Sequence, residues 1–310
     1  MTPSDRRLVL VVGPPRSGTT AVGEVLGTAP HTATLHEPTN FHTGDRRVRR
    51  YFDFLSDGGE ELATLRAIEA DVKALRLRLK TGAFPNEAPH RQLLKRLIGG
   101  RTTWSLWKAR LTPALQTIVW KDPFMTFSLQ QLQCFRQAPV VACYRPPEAV
   151  AASFKRLNWR WSATEIAAAL GRDSFETAGD QRDAAFRGAD FWALAYTELL
   201  EQARSGRYLR FLDLDDVVAD PVGTYRRVFA FCGLEWTDRV ERRLTAAFGG
   251  TESKADAVPR AGQTHVKDRD LGAVNTYWSK VLSATEIDYI RARTQPLVAQ
   301  IQQERPEIFL

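Results

Sequence analysis

Leu8-Val-Leu-Val-Val-Gly13-Pro-Pro-Arg16-Ser-Gly-Thr-Thr20 places a short apolar, β-branched run directly against a glycine, two prolines and the start of a helix. A continuous apolar run of this length, closed by turn residues, predicts a buried parallel strand over Leu8 to Val12 that runs into a tight turn. From Thr19 to Leu26 the chain puts Val22, Val25 and Leu26 on one helical face. It then passes through Ala29, Pro30 and His31 to a second predicted strand, Thr34 to His36, which completes a βαβ unit. Further strands are predicted at Thr117 to Trp120, Val140 to Tyr144 and Tyr208 to Leu212, each followed by a segment of helical pattern. Helices are predicted over Arg182 to Ala203, Thr224 to Cys232 and Ser283 to Gln302. The expected fold class is α/β, a mostly parallel central sheet with helices on both faces and helical insertions.

Two regions lie outside this alternation. Between about Arg46 and Gly100 the reading is helical, with Leu62, Leu65, Ile68, Val72, Leu75 and Leu79 recurring at three- and four-residue steps. That stripe predicts a surface helix packed on the sheet or capping the site, with a dimerising seam, and hence a homodimer, as the alternative. Thr251 to Thr276 is rich in Gly, Pro and charge and reads as a long loop that closes over a ligand.

Composition narrows the partners. A chain of 310 residues, 44% hydrophobic with eight Trp and sixteen Phe, can bury the core of one large domain or two modest ones. The formal charge of +7 comes mostly from arginine, the better residue for holding phosphates bidentately, so anionic ligands are expected. Because the basic residues are spread along the chain, nucleotides or acidic small molecules are favoured over a nucleic-acid track. Cys134, Cys143 and Cys232 are odd in number and lack any C-x-x-C or zinc-like spacing, which argues against a disulfide framework. The apolar run after the N-terminal MTPSDRR is too short for a signal peptide core or a membrane span, so a cytoplasmic protein with no membrane span is expected.

The segment Gly13 to Thr20 fits the nucleotide-loop frame G-x-x-x-x-G-K-[ST], except that Thr19 stands where the lysine belongs and Arg16 appears inside the loop. A triphosphatase needs that lysine together with Mg²⁺, so its loss suits a monophosphate anchor instead. P-R-S-G-T-T after an apolar strand resembles the 5′-phosphosulfate loop of the sulfotransferases that use 3′-phosphoadenosine 5′-phosphosulfate (PAPS). The resemblance is closest in motifs to their carbohydrate and tyrosyl-protein branches, in a bacterial-type cytosolic member. It implies a P-loop NTPase-like three-layer sandwich: a single domain over residues 1–310, with a helical insertion at about 45–115 and a C-terminal closing loop at about 251–276. It further implies PAPS as donor, 3′,5′-adenosine diphosphate as product, and no required metal. The backbone of Ser17, Gly18, Thr19 and Thr20 would hold the 5′-phosphate, with Arg16 reaching the bridging oxygen or the sulfo group.

PAPS differs from ATP by a 3′-phosphate, which needs a second anion site. Val140-Val-Ala-Cys-Tyr-Arg145 is a predicted strand ending in arginine, and Pro146, Pro147 and Glu148 start a helix that carries Ser153, so guanidinium and hydroxyl converge on one anion. This looks like the family's 3′-phosphate element, although Pro146-Pro147 departs from its usual turn. Lys121 ends the Thr117 strand, where open α/β sheets present ligands, and K-D-P-F resembles the family's strand-end lysine segment. There the lysine contacts the transferring group, while Asp122 reads as a cap for the helix that follows. Glu37, in His36-Glu37-Pro38, resembles the catalytic glutamate of the tyrosyl-protein branch, and His36 and His42 are rival bases. A base near neutral pH needs a carboxyl raised by burial or one that takes its proton late. Thr264-His-Val-Lys267, followed by Leu271 and Trp278, resembles the C-terminal closing segment, with Lys267 the best match for a PAPS contact and Lys254 and Arg260 behind it. Leu214 stands where relatives have a nucleotide-contacting tyrosine.

The expected activity is therefore sulfo transfer from PAPS to a hydroxyl of a carbohydrate-like or other small-molecule acceptor, such as a sugar, glycolipid or secondary metabolite. Trp104, Trp107, Trp159 and Trp161 are candidates for stacking on that acceptor, and the Arg46-Arg47 and Arg49-Arg50 pairs for attracting an acidic one. A P-loop small-molecule kinase and a non-catalytic nucleotide or nucleic-acid binding protein are the alternatives.

Overall fold

A computed structural model describes residues 5–80, 99–175, 177, 179–180, 182–248 and 276–310. In chain order its elements are β1 (Arg7–Val12), α1 (Thr19–Leu26), β2 (Thr32–His36), α2 (Gly59–Ala74), α3 (Arg101–Leu111), β3 (Thr117–Lys121), β4 (Val140–Tyr144), α4 (Pro147–Leu157), α5 (Ala163–Ala169), α6 (Ala184–Ser205), β5 (Leu209–Asp213), α7 (Leu214–Ala219), α8 (Pro221–Cys232), α9 (Asp238–Phe248), α10 (Ala284–Gln303) and α11 (Arg305–Ile308). All five strands expected from the sequence are present. They pair in parallel in the order β2-β3-β1-β4-β5.

Alternation along β1 explains the layers. Leu8, Leu10 and Val12 point into one core, with Leu65, Ile68 and Val72 of α2 and Phe191, Trp192 and Tyr196 of α6. Val9 and Val11 point into the other, with Val22 and Leu26 of α1, Tyr225, Val228 and Phe229 of α8, and Val240 and Leu244 of α9. A sheet covered on both faces is what continuous apolar strands require. β1 lies between β3 and β4, so the chain switches direction across the sheet at its C-terminal end, where α/β folds leave a crevice.

The long helical reading is corrected over its described part up to residue 80. α2 covers only Gly59–Ala74, and residues 45–58 are without a helix. Short polar side chains capture the backbone there: Asp45 accepts from the N–H groups of Arg47 (3.1 Å) and Arg78 (3.0 Å), and Asp53 accepts from that of Arg49 (2.7 Å). α2 ends where Leu75 turns left-handed at φ 57°, and Leu79 instead bridges to Asp45. The stripe is no dimer seam, because Leu65, Ile68 and Val72 are fully buried in the chain's own core. The arginine run is likewise committed, with Arg47 on Asp45 and Asp71, Arg49 on Glu60 and Arg50 on Glu61. Lys254, Arg260 and Lys267, and the loop at 251–276 apart from Thr276, lie outside the described residues, as do residues 81–98 of the expected insertion. Among the described residues no helix is long and apolar enough to cross a membrane.

Ile68→Ala should lower unfolding free energy by about 2–5 kcal/mol, as expected for emptying a fully buried site. Chemical denaturation at several protein concentrations measures this; a midpoint that shifts with concentration would restore the seam.

Candidate active site

The loop after β1 is shaped by its glycine and by the turn it must make. Arg16 (φ 78°) and Gly18 (φ 89°) are both left-handed, and Gly18 caps α1. A Cβ at Gly18 would lie 2.5 Å from Leu214 Cδ1, so the Leu214 side chain packs against the loop. Ser17 donates its N–H to Pro14 O at 3.0 Å, and Gly13 donates to Thr126 Oγ1 at 3.3 Å. α1 has no side-chain cap, so its first-turn N–H groups face outward without an intrahelical acceptor. Ser17 Oγ is buried with no hydrogen-bond partner among the described residues. An unmatched hydroxyl beside a helix N-terminus is the environment that an anion completes.

Parallel register brings the other candidates to the same edge. His36 sits opposite Lys121 between β2 and β3, and Lys121 opposite Val11 between β3 and β1. Lys121 is 1% exposed, and its stem lies over α1, where a Cβ at Gly23 would come within 3.0 Å of Lys121 Cβ and Cγ. Its ammonium donates to Glu37 Oε1 in a close ion pair. Glu37 adopts φ 49°, donates its N–H to Lys121 O at 2.7 Å, and accepts from Asn40 Nδ2 at Oε2, also at 2.7 Å. His36 Nδ1 lies 3.8 Å from Glu37 Oε1. Burial pushes the Glu37 carboxyl up, but Lys121, His36 and Asn40 outweigh it and hold it at about 2. Of the two states open to a base, the structure holds the hydrogen-bonded carboxylate rather than the raised carboxyl, with Glu37 ionised and held by Lys121.

Asp122 is fully buried. It caps the turn at Pro123–Met125 by accepting from Phe124 N (3.1 Å), and it also accepts from Thr39 N (2.6 Å), which ties the segment after Glu37 to the end of β3. Burial and the Glu37 charge push its carboxyl up to about 6, against the pull of Thr39 and Lys121.

Arg145, 2% exposed at the end of β4, donates from a guanidinium nitrogen to Arg16 O at 2.7 Å, and so braces the loop. Ser153, on α4, donates its hydroxyl to Ala149 O (2.9 Å) and meets Tyr277 Oη (3.1 Å). The structure thus brings Arg16, Ser17, Gly18, Glu37, Lys121 and Arg145 to one edge of the sheet.

Beside Glu37 runs an aromatic wall that sequence reasoning reached only at one end. Tyr51 packs on His42, Phe124 and Trp161 at ring distances of 5.4, 5.1 and 5.3 Å, and Trp161 stacks on Trp159 at 4.4 Å. Burial and the charge of Glu37 push the Tyr51 hydroxyl up to about 12. Burial and Lys80 lower His42, which is therefore a neutral member of the wall. Lys80 donates to Phe41 O and Val48 O, both at 2.6 Å, and fixes the loop that carries these rings. Trp104 and Trp107, by contrast, stand on the outer face of α3 at 51% exposure each. Tyr51 and Tyr277 carry no sequence motif; Asn40, three residues after Glu37, was the one legible hint, because asparagine readily closes such a turn.

The structure thus has an anion cradle at the switch point and a lysine–glutamate pair one strand away. Residues 9–238 match the profile of the sulfotransferase family, and the chain belongs to that family; it is a sulfotransferase. Among solved structures it is similar to the sulfotransferase domain of the Synechococcus PCC 7002 olefin synthase, with 15% identity, 93% of this chain and 95% of that one covered, and a TM-score of 0.44. It is also similar to the sulfotransferase STF1 of Mycobacterium tuberculosis H37Rv (19% identity, 77% and 71% covered, TM-score 0.40). A third similar structure is mouse sulfotransferase SULT7A1 complexed with PAP (14% identity, 97% and 88% covered, TM-score 0.43). No curated protein matches the sequence.

Glu37, lowered to about 2 from an ordinary 4.5, contributes stability that is present above pH 4.5 and lost as the pH falls toward 2. Asp122, raised from 3.8 to about 6, has the opposite sign: its contribution is present below 3.8 and lost as the pH rises through 6. Glu37→Gln should therefore flatten the acid limb of the stability curve between pH 4.5 and 2. Unfolding midpoints across that range test it, and an acid limb identical to wild type would mean that the pair does not form in solution.

Proposed function

We propose that the protein transfers a sulfo group from PAPS to a hydroxyl of a carbohydrate-like or other small-molecule acceptor, in one catalytic domain whose 45–115 region helps to form the acceptor side. The observation that carries this reading is the Lys121–Glu37 pair standing beside the Ser17 cradle. The donor supplies an activated sulfo group and a phosphate leaving group. Ser17, Gly18, Thr19 and Thr20 hold the 5′-phosphate through backbone N–H groups and the free Ser17 hydroxyl, Arg16 reaches the bridging oxygen or the sulfo group, and Arg145 with Ser153 receives the 3′-phosphate.

Lys121 exchanges Glu37 for the oxygens of the group in transfer, where negative charge grows. Glu37, deprived of its cation, then regains proton affinity, because burial alone pushes its carboxyl upward. It takes the acceptor proton as the acceptor oxygen–sulfur bond forms and the bond to the 5′-phosphate oxygen breaks. One exchange of partners thus readies both the electrostatic group and the base. The wall of His42, Tyr51, Trp161 and Trp159 offers ring faces to a sugar or flat acceptor.

Calorimetry should show tight, Mg²⁺-independent binding of 3′,5′-adenosine diphosphate in preference to ADP or ATP; preference for Mg-ATP would instead promote a kinase. Lys121→Ala and Glu37→Gln should each reduce sulfo transfer by about 100-fold or more, the scale of losing one electrostatic or acid–base group. Near-normal turnover in either variant would remove that residue from the mechanism. Arg145→Ala should weaken binding of the 3′-phosphorylated nucleotide, and unchanged affinity would refute its assignment.

A further inference from the structure

Helix α3 has two unlike faces. Its inner residues Thr102, Ser105, Leu106 and Ala109 are buried, and they brace the candidate site: Ser105 Oγ accepts from His36 N at 2.9 Å, and the Thr102 and Thr43 hydroxyls meet at 3.0 Å. At 3.6 residues per turn, the outer face reads Arg110, Trp107, Leu111, Trp104, Lys108, Arg101 around its circumference, and all six are exposed. Trp104 and Trp107 are each 51% exposed and Leu111 is 76% exposed. Among the described residues the exposed large hydrophobics are these three and Val218, so apolar exposure is concentrated on one stripe of one helix. Single exposed apolar residues are ordinary, but two indoles and a leucine aligned together are not.

The rims of the stripe identify its occupant. Basic residues border it on both sides, and the helix, RTTWSLWKARL, contains no acid. Arg110 lies over the Trp107 ring at 5.4 Å and its guanidinium donates to Leu75 O at 3.0 and 2.7 Å, so the cations that reach outward are Lys108 and Arg101 on the other rim. Indoles at headgroup depth, a leucine reaching the acyl boundary and cations extended toward phosphates are the features of a helix lying in the plane of an anionic bilayer. A second copy of this chain, stripe against stripe, would press cation against cation. We propose that the outer face of α3 docks the protein peripherally on an anionic lipid surface. This docking is independent of the donor and acceptor assignments, because it is read by binding alone.

The test uses the full chain with vesicles of phosphatidylcholine, with and without phosphatidylglycerol, followed by co-sedimentation and tryptophan emission. Wild type should bind the anionic vesicles with a blue shift, bind the neutral ones more weakly, and dissociate as salt is raised. The Trp104→Ser/Trp107→Ser double variant should partition about tenfold less or lower, as loss of two interfacial rings implies. Lys108→Glu should lose about fivefold or more, the effect of one juxtamembrane cation. Unfolding midpoints equal to wild type would show that the variants fold. Failure of wild type to bind anionic vesicles, or undiminished binding by either folded variant, would overturn the proposal. So would a wild-type dimer in size-exclusion chromatography that the double tryptophan variant converts to monomer, since the stripe would then belong to a second copy.

Discussion

The register between β2 and β3 is the constraint from which the site follows. With His36 opposite Lys121, the residue after β2 donates its N–H to Lys121 O and its carboxylate meets the lysine ammonium. A one-residue slip would turn Lys121 to the other face of the sheet and leave a fully buried ammonium unmatched, which is far costlier than any surface pair. Because β3 also pairs with β1, the same register sets the height of the phosphate loop relative to the lysine. Backbone pairing, rather than any loop, thus fixes three groups that come from three separate stretches of sequence.

Much of this was legible in the chain. Strands announced themselves through short apolar runs ending in turn residues, and the loop from Gly13 to Thr20 stood out because its residues answer to local geometry. Lys121, Glu37 and Arg145 could be placed because each ends a strand, and parallel strands deliver their ends to one edge. The stripe from Leu62 to Leu79 misled because periodicity reports a buried face without saying where a helix stops. Before the helix, Asp45 and Asp53 take the nearby N–H groups of Arg47 and Arg49; beyond it, Asp45 takes that of Arg78, a partner 33 residues away that no short window of sequence reveals.

The charge state of Glu37 was illegible for a related reason. A sequence shows that a carboxyl can be buried, which raises its proton affinity, but not that a lysine from another strand will be pressed against it. Tyr51 and Tyr277 escaped notice because aromatic residues are common, and they reach Glu37's surroundings and Ser153 only through tertiary packing. The same folding that hid these residues set Trp104 and Trp107 on the outer face of α3, apart from the aromatic wall beside Glu37.

Gly23 sits in the middle of α1, where glycine costs about 1 kcal/mol relative to alanine. The space it leaves is occupied by the stem of Lys121. An engineer seeking a more heat-tolerant version of this protein would turn first to such a glycine, and here the usual exchange is closed: an added methyl would lie 3.0 Å from the lysine stem and displace it or the helix. Thermal robustness in this helix has been surrendered to the placement of one ammonium group, and gains in durability must be sought elsewhere in the chain.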